Sequence, residues 1–323
     1  MCVFYSFKNN LLSQGCSDAG FCTISAFKAQ QTQKTRDRLS IGSSIGESDQ
    51  HTFIVTPYLQ YDRNIQNFNI QFKLTTNYAT GNLGTVWGLG DFFATISYLQ
   101  KLPKNWSVVY LAGLKINANQ PNFKDQFNIG LPMVYQPSIG TTDVIAGLAF
   151  KNEHWSFAFG IQQPLTNPNT NEFLPIYYQL SSNPNANSNY NKASLYPSTL
   201  YFNRKGDALI NANYAHNLGK KFRFQVGALA IFHLGTDYYT DITLPAIPYN
   251  RLNNNLAIYN NNFQSPIVGS DGLTLNLTAA FWYKLNNKIS FGLLGGAPQI
   301  AREVRPDGLT REWAIQPEII ISF

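Results

Sequence analysis

Four histidines, His51, His154, His216 and His233, are the residues best placed by type to do chemistry in this chain. A serine hydrolase needs a His ring within hydrogen-bond reach of a Ser hydroxyl, with a carboxylate behind the ring. HNLGK from His216 and HLGTD from His233 hold no Ser, so a nucleophile would have to arrive from elsewhere in space. His233 has an inward position near one rim; the other three fall at the ends of alternating stretches. No metal-ligand spacing, Gly-rich phosphate loop or reactive Cys context is present. The expectation is therefore no metal, no cofactor and no enzyme. In CSDAGFC, Cys16 and Cys22 stand six residues apart with a Gly between them. They would close a small disulfide loop in an oxidising compartment, or else remain two thiols.

A second set of candidates is polar rather than nucleophilic. Lys73, Lys115, Arg223, Gln225, Asn276, Glu312, Gln316 and Glu318 occur at alternate positions of stretches whose other positions are apolar. Side chains of this kind line a wet lumen, because an unpaired charge facing lipid costs several kcal/mol. Lys or Arg opposite Glu across a lumen would form a selective constriction, or would salt-bridge and stiffen the wall.

Such residues need strands to hold them, since successive side chains of a strand point to opposite sides. The clearest case sets Phe68, Ile70, Phe72 and Leu74 against Asn67, Asn69, Gln71, Lys73 and Thr75. Similar alternation gives about twelve strands between residues 39 and 323. Short turns fall near Asp62, Leu102, Asn152, Leu218 and Asn286; between them lie long polar segments at 79–90, 119–136, 167–205 and 237–271. Short and long connections alternate, as they do when the two rims of an up-and-down sheet face different surroundings. An even strand number puts both termini on the short-turn side. Charged residues make up 13% and aromatics 14%, yet mean hydropathy is −0.20. Asn, Gln, Ser, Thr and Tyr therefore carry the polarity, which suits a barrel with lipid outside and polar groups within. The reading is all-β: a transmembrane antiparallel up-and-down β-barrel over 39–323, with long extracellular loops.

Residues 1–15 read as a residual leader or unstructured start. Residues 16–38 are rich in Gln, Lys and Arg and precede the first strand. They are either a periplasmic tail or an N-terminal plug entering the lumen. The 24 Lys and Arg are scattered without a basic run, so the net charge of +6 does not point to nucleic acid.

The chain ends on EWAIQPEIIISF. Phe323, Ile321, Ile319 and Ile315, at alternate steps, resemble the C-terminal recognition strand of bacterial outer-membrane proteins. That resemblance implies the barrel-assembly machinery as a partner during biogenesis; Pro317 interrupts the pattern and predicts a bulge or broken pairing. With GLGDFFATISYLQKL (residues 88–102) and the N-terminal segment, the layout resembles the long-chain fatty-acid transporter-like and phenol/toluene-pathway channels of Gram-negative outer membranes. The resemblance implies a channel for passive uptake of small, often hydrophobic molecules, with lipid and a small solute as partners. One alternative is a plugged barrel acting through its loops as a surface receptor, adhesin or complex component, with a surface or periplasmic protein as partner. Another is a lipid-modifying barrel enzyme. The outer-membrane phospholipase family shows a His-x-Ser-Asn-Gly motif, which neither His216 nor His233 matches.

Overall fold

The alternation is realised as a pleat with a polar inside. In β3 (Phe68–Gly81), Asn69, Gln71, Lys73, Thr75, Asn77 and Ala79 are buried, whereas Phe68, Phe72 and Leu74 are exposed. A water-soluble sandwich would reverse this, so hydrocarbon is the medium these apolar rows fit. The computed structural model describes residues 37–241, 264–308 and 311–323. The expected leader, the 16–36 segment and the Cys16–Cys22 pairing lie outside the described residues.

Strand β1 (Asp37–Ser48) opens the barrel two residues before the expected start. There follow β2 (Thr52–Ile65), β3, β4 (Gly84–Lys101), β5 (Ser107–Asn117), β6 (Asp143–Lys151) and β7 (Trp155–Pro164). The second half holds β8 (Asp207–Leu218), β9 (Phe222–His233), β12 (Gly272–Lys284), β13 (Ile289–Ile300) and β14 (Arg311–Ser322). Twelve strands pair antiparallel with their sequence neighbours, and β1 pairs with β14 to close a transmembrane barrel. A short ribbon, β10 (Tyr238–Thr240) with β11 (Gln264–Pro266), stands apart from that wall.

Closure engages the final residue. Asp37 N–H donates to the Phe323 carbonyl at 3.2 Å, and Phe323 N–H donates back to Asp37 at 3.0 Å. The β1–β14 pairing runs to Gly42 opposite Glu318 and resumes at Ile45 opposite Ile315. The gap holds Pro317, which has no N–H to give. Pro57 lies in a matching gap between β2 and β3, and both prolines face Ser43 along one row.

The rims differ as the connection lengths require, with one correction. Residues 79–90 are not a long loop. β3 and β4 continue outward to pair Gly81 with Gly84 around a two-residue turn. Apolar Ala79, Leu83 and Val86 on the inner side of this hairpin are covered by other loops, which keeps the pleat going beyond the belt. Residues 301–310, between β13 and β14, form a further long connection that alternation alone did not single out.

Candidate functional site

The lumen divides into an outer half filled by folded loops and an inner half lined by wall side chains. Three short helices, Ile176–Leu180, Pro184–Asn187 and Tyr190–Ala193, build the top of a cap. Tyr178, Ala186, Ala193 and Tyr196 pack with Ile129, Leu131, Val134, Tyr135 and Phe173, and onto Ile54, Ala79, Leu83 and Val86 of the wall. Below it, Met133, Ile139, Phe202 and Ile267 cover Leu209, Leu229 and Ile231 on the inner face of β8 and β9. Asparagine side chains stitch the loops: Asn171 donates to the carbonyls of Pro121 (2.8 Å) and Leu131 (3.0 Å), and Asn169 to that of Ile139 (2.8 Å). The long polar segment expected at 167–205 is thus a folded body, with helices and an apolar core of its own; of the segment at 237–271, residues 242–263 lie outside the described residues.

A belt of buried ions ties the cap to the wall. Lys115 Nζ lies 3.1 Å from Asp143 and 3.7 Å from Asp91, and donates to Thr141 of a loop at 3.1 Å. The Ser138 hydroxyl donates to Asp91 at 2.5 Å. The local sequence makes this possible. GLGD (residues 88–91) sits mid-strand in β4, where the β3–β4 register shifts. Thr75 Oγ1 accepts from Asp91 N–H at 2.9 Å, and a Cβ on Gly90 would stand 2.4 Å from that oxygen. The bulge, with Gly at its tight point, turns Gly90 and Asp91 both inward.

Farther along the wall, Arg204 pairs with Asp207 and lies 3.5 Å from Asp307, which Arg302 also holds at 2.9 Å. Burial pushes the Asp307 carboxyl up, but Arg302 and Arg204 outweigh it and hold it well below the usual carboxylate range. At the outer rim Arg305 donates to Asp49 at 2.5 Å. Burial there outweighs the neighbouring guanidinium and pushes Asp49 up to about 6.

His233 lies within this belt, inward and near the outer rim as expected. Its Nδ1 is 2.7 Å from Asp207 and its Nε2 is 2.8 Å from Asp237. Both ring nitrogens are thus held by carboxylates, which leaves neither to take a proton from a nucleophile. His51 bonds Glu47, His154 bonds the Ala215 carbonyl, and His216 stacks on His154. Among the described residues, no Ser hydroxyl bonds a His ring.

The inner half carries a lighter network. Tyr58 donates to Glu318 at 2.9 Å and accepts from Gln316 at 2.9 Å; Trp282 Nε1 donates to the other Glu318 oxygen at 3.0 Å. Lys73 Nζ sits 4.3 Å above the Tyr58 ring. Glycines give these side chains room: a Cβ on Gly42 would meet Tyr58 Oη at 2.5 Å, and one on Gly292 would meet Glu318 at 2.6 Å.

The eight lumen candidates are therefore dispersed. Lys73, Gln316 and Glu318 come together in the inner half, and Lys115 joins the ion belt. Arg223 and Gln225 point inward towards the short-turn rim, with Arg223 3.5 Å from Asn217. Asn276 is buried beneath the cap. Glu312 occupies a bulge where β1–β14 pairing skips it between Trp313 and Arg311. Its neighbour Arg311, not singled out from sequence, is the buried group there, donating to Ser44 (2.5 Å) and Thr56 (2.8 Å). Arg204, Asp237, Arg302 and Asp307 were also missed. Their signal is charge beside Pro and Gly within loops, as in AREVRPDG, which strand periodicity does not register.

No protein-family model matches the chain, and no curated protein matches it. Among solved structures it is similar to the NanC porin (TM-score 0.46, 8% identity, 88% of this chain and 98% of that one). It is also similar to the KdgM porin (TM-score 0.41, 9% identity, 88% and 99%). A third likeness is to outer membrane phospholipase A from Escherichia coli (TM-score 0.36, 8% identity, 90% and 93%). Two are porins and one is an enzyme, so these likenesses concern the barrel and do not choose a function.

Proposed function

We propose that the protein is a channel of a Gram-negative outer membrane that passes small molecules, with its own loops closing the outer mouth. The observation that carries this reading is the polarity of the inner wall. Ser40, Thr56, Gln60, Asn69, Gln71, Lys73, Asn211 and Asn213 face inward while aromatic and aliphatic rows face out. A barrel needing only stability could fill its interior with apolar side chains, which carry no desolvation cost. The barrel-assembly machinery would then read the strand ending on Phe323.

Planar-bilayer conductance of the full chain, and of a variant lacking residues 176–195, tests this. The expected result is small or rare steps for the full chain and larger steps once the cap is shortened. Silence in both forms overturns the channel.

A second reading is favoured by one observation. The cap has its own apolar core and side-chain-to-backbone bonds, so it presents a fixed outer surface of the kind that binds a partner. A plugged barrel acting as a receptor, adhesin or complex component would stay silent in both forms and would lose its partner when residues 176–195 are removed.

A further inference from the structure

We propose that Asn276 and Thr274, on the inner face of β12 just beneath the cap, form a binding station for an uncharged group offering a hydrogen-bond donor and acceptor side by side. A carboxamide or a pair of neighbouring hydroxyls has that chemistry. The inference rests on reading the lumen as a solute path and names the class of solute that path would recognise.

Three observations converge. Asn276 is 1% exposed and Thr274 0%, yet both side-chain atoms of the Asn276 amide and the Thr274 hydroxyl lack a hydrogen-bond partner. They lie two residues apart, so the strand pleat puts them on one face. A buried amide and hydroxyl left unpaired cost the fold stability, and a wall position could have been apolar instead. Natural proteins keep such a violation where a ligand satisfies it.

The second observation is local geometry. The β12–β13 register shifts between Leu275 and Asn276, which puts Pro298 opposite Asn276 where even pairing would put Gln299. A bulge re-aims the side chain beside it, and such bulges concentrate at functional sites. The third is the surroundings. Register sets Ile231 opposite Thr274 and Leu229 opposite Asn276, both in the apolar cluster under Met133 and Phe202. On β13 the next inward residue is Gly296, where an added Cβ would find its nearest neighbours at 3.5 and 3.7 Å. That leaves an amide and a hydroxyl among apolar wall residues, with a position beside them on β13 that carries no side chain. Charge is disfavoured there, because the flanking Leu, Ile and Pro offer nothing to replace its hydration.

The test is saturation-transfer NMR on the full chain in nanodiscs, with propionamide and 1,2-propanediol as neutral probes and propionate as the charged control. Asn276→Leu and Thr274→Val are the variants; each removes an unpaired polar group, so each should fold at least as stably as the parent. Transfer to a neutral probe well above that to propionate, falling at least fivefold in Asn276→Leu, is the expected result. Equal transfer in the parent and in a folded Asn276→Leu, or no transfer to either neutral probe, overturns the station. Binding is read without flux, so a protein that binds propionamide but never conducts sinks the channel reading and leaves the station standing.

Discussion

The outer and inner halves of the lumen use similar residues to opposite ends. Outside, Lys115, Arg204, Arg302 and their Asp partners are dry, paired and joined to loops. Inside, Lys73, Tyr58, Gln316 and Glu318 form a wall-bound network that no described loop covers. The contrast teaches that an inward charge on a barrel strand has two fates. Where a loop brings an opposite charge, it becomes a fastening for that loop; in the inner half the strands themselves supply the partners, and the charge is held by the wall.

Mutations can break that contrast, the largest effect being expected in the belt. Asp207→Ala strips a carboxylate from both Arg204 and His233 and leaves them buried. Removing one partner of a buried pair typically costs about 3–5 kcal/mol, readable as a lowered urea midpoint in liposomes. A loss under about 1 kcal/mol would mean that Arg204 and His233 are not dry once Asp207 is gone. On the lipid side of the same strand that carries Lys73, Phe72→Arg should cost about 2–4 kcal/mol, as a cation does near the bilayer midplane. A neutral result would contradict the assignment of outside to hydrocarbon.

Tyr58→Phe removes one donor to Glu318 and the acceptor for Gln316. At roughly 1 kcal/mol for each net hydrogen bond, the loss should be smaller than for Asp207→Ala. In single-channel records, ion selectivity should shift as Glu318 loses one of its donors, with Trp282 still bonded to its other oxygen. The smallest effect concerns pH. Because the folded pKa of Asp49 is raised to about 6, the fold takes up its proton more readily than the unfolded chain does. Its contribution to stability is therefore greatest in acid and falls as pH rises from about 4 to 6. Asp49→Asn should flatten that part of the stability–pH curve, measured by thermal scans; an unchanged slope would remove Asp49 from the account.

Particular residues show how much was legible in advance. Lys73 and Phe72 could be assigned to opposite faces from six residues of context, and Pro317 announced the gap in its ladder. Asp91 could not be placed, because the bulge that turns it inward depends on Thr75 in the next strand. Nor could the hairpin of 79–90 be told from a loop, since its inner side is buried only by loops far away in sequence.

The sequence by itself determined the pleat, the count of about twelve strands, the sidedness of the rims and the aromatic strand end. These follow from a two-residue period and from connection lengths, both local. Tertiary structure alone decided that the loops fold inward and that Arg305 meets Asp49 across 256 residues. It also left the Asn276 amide without a partner. Burial and pairing depend on what packs opposite a side chain, and a strand's own period carries no record of that.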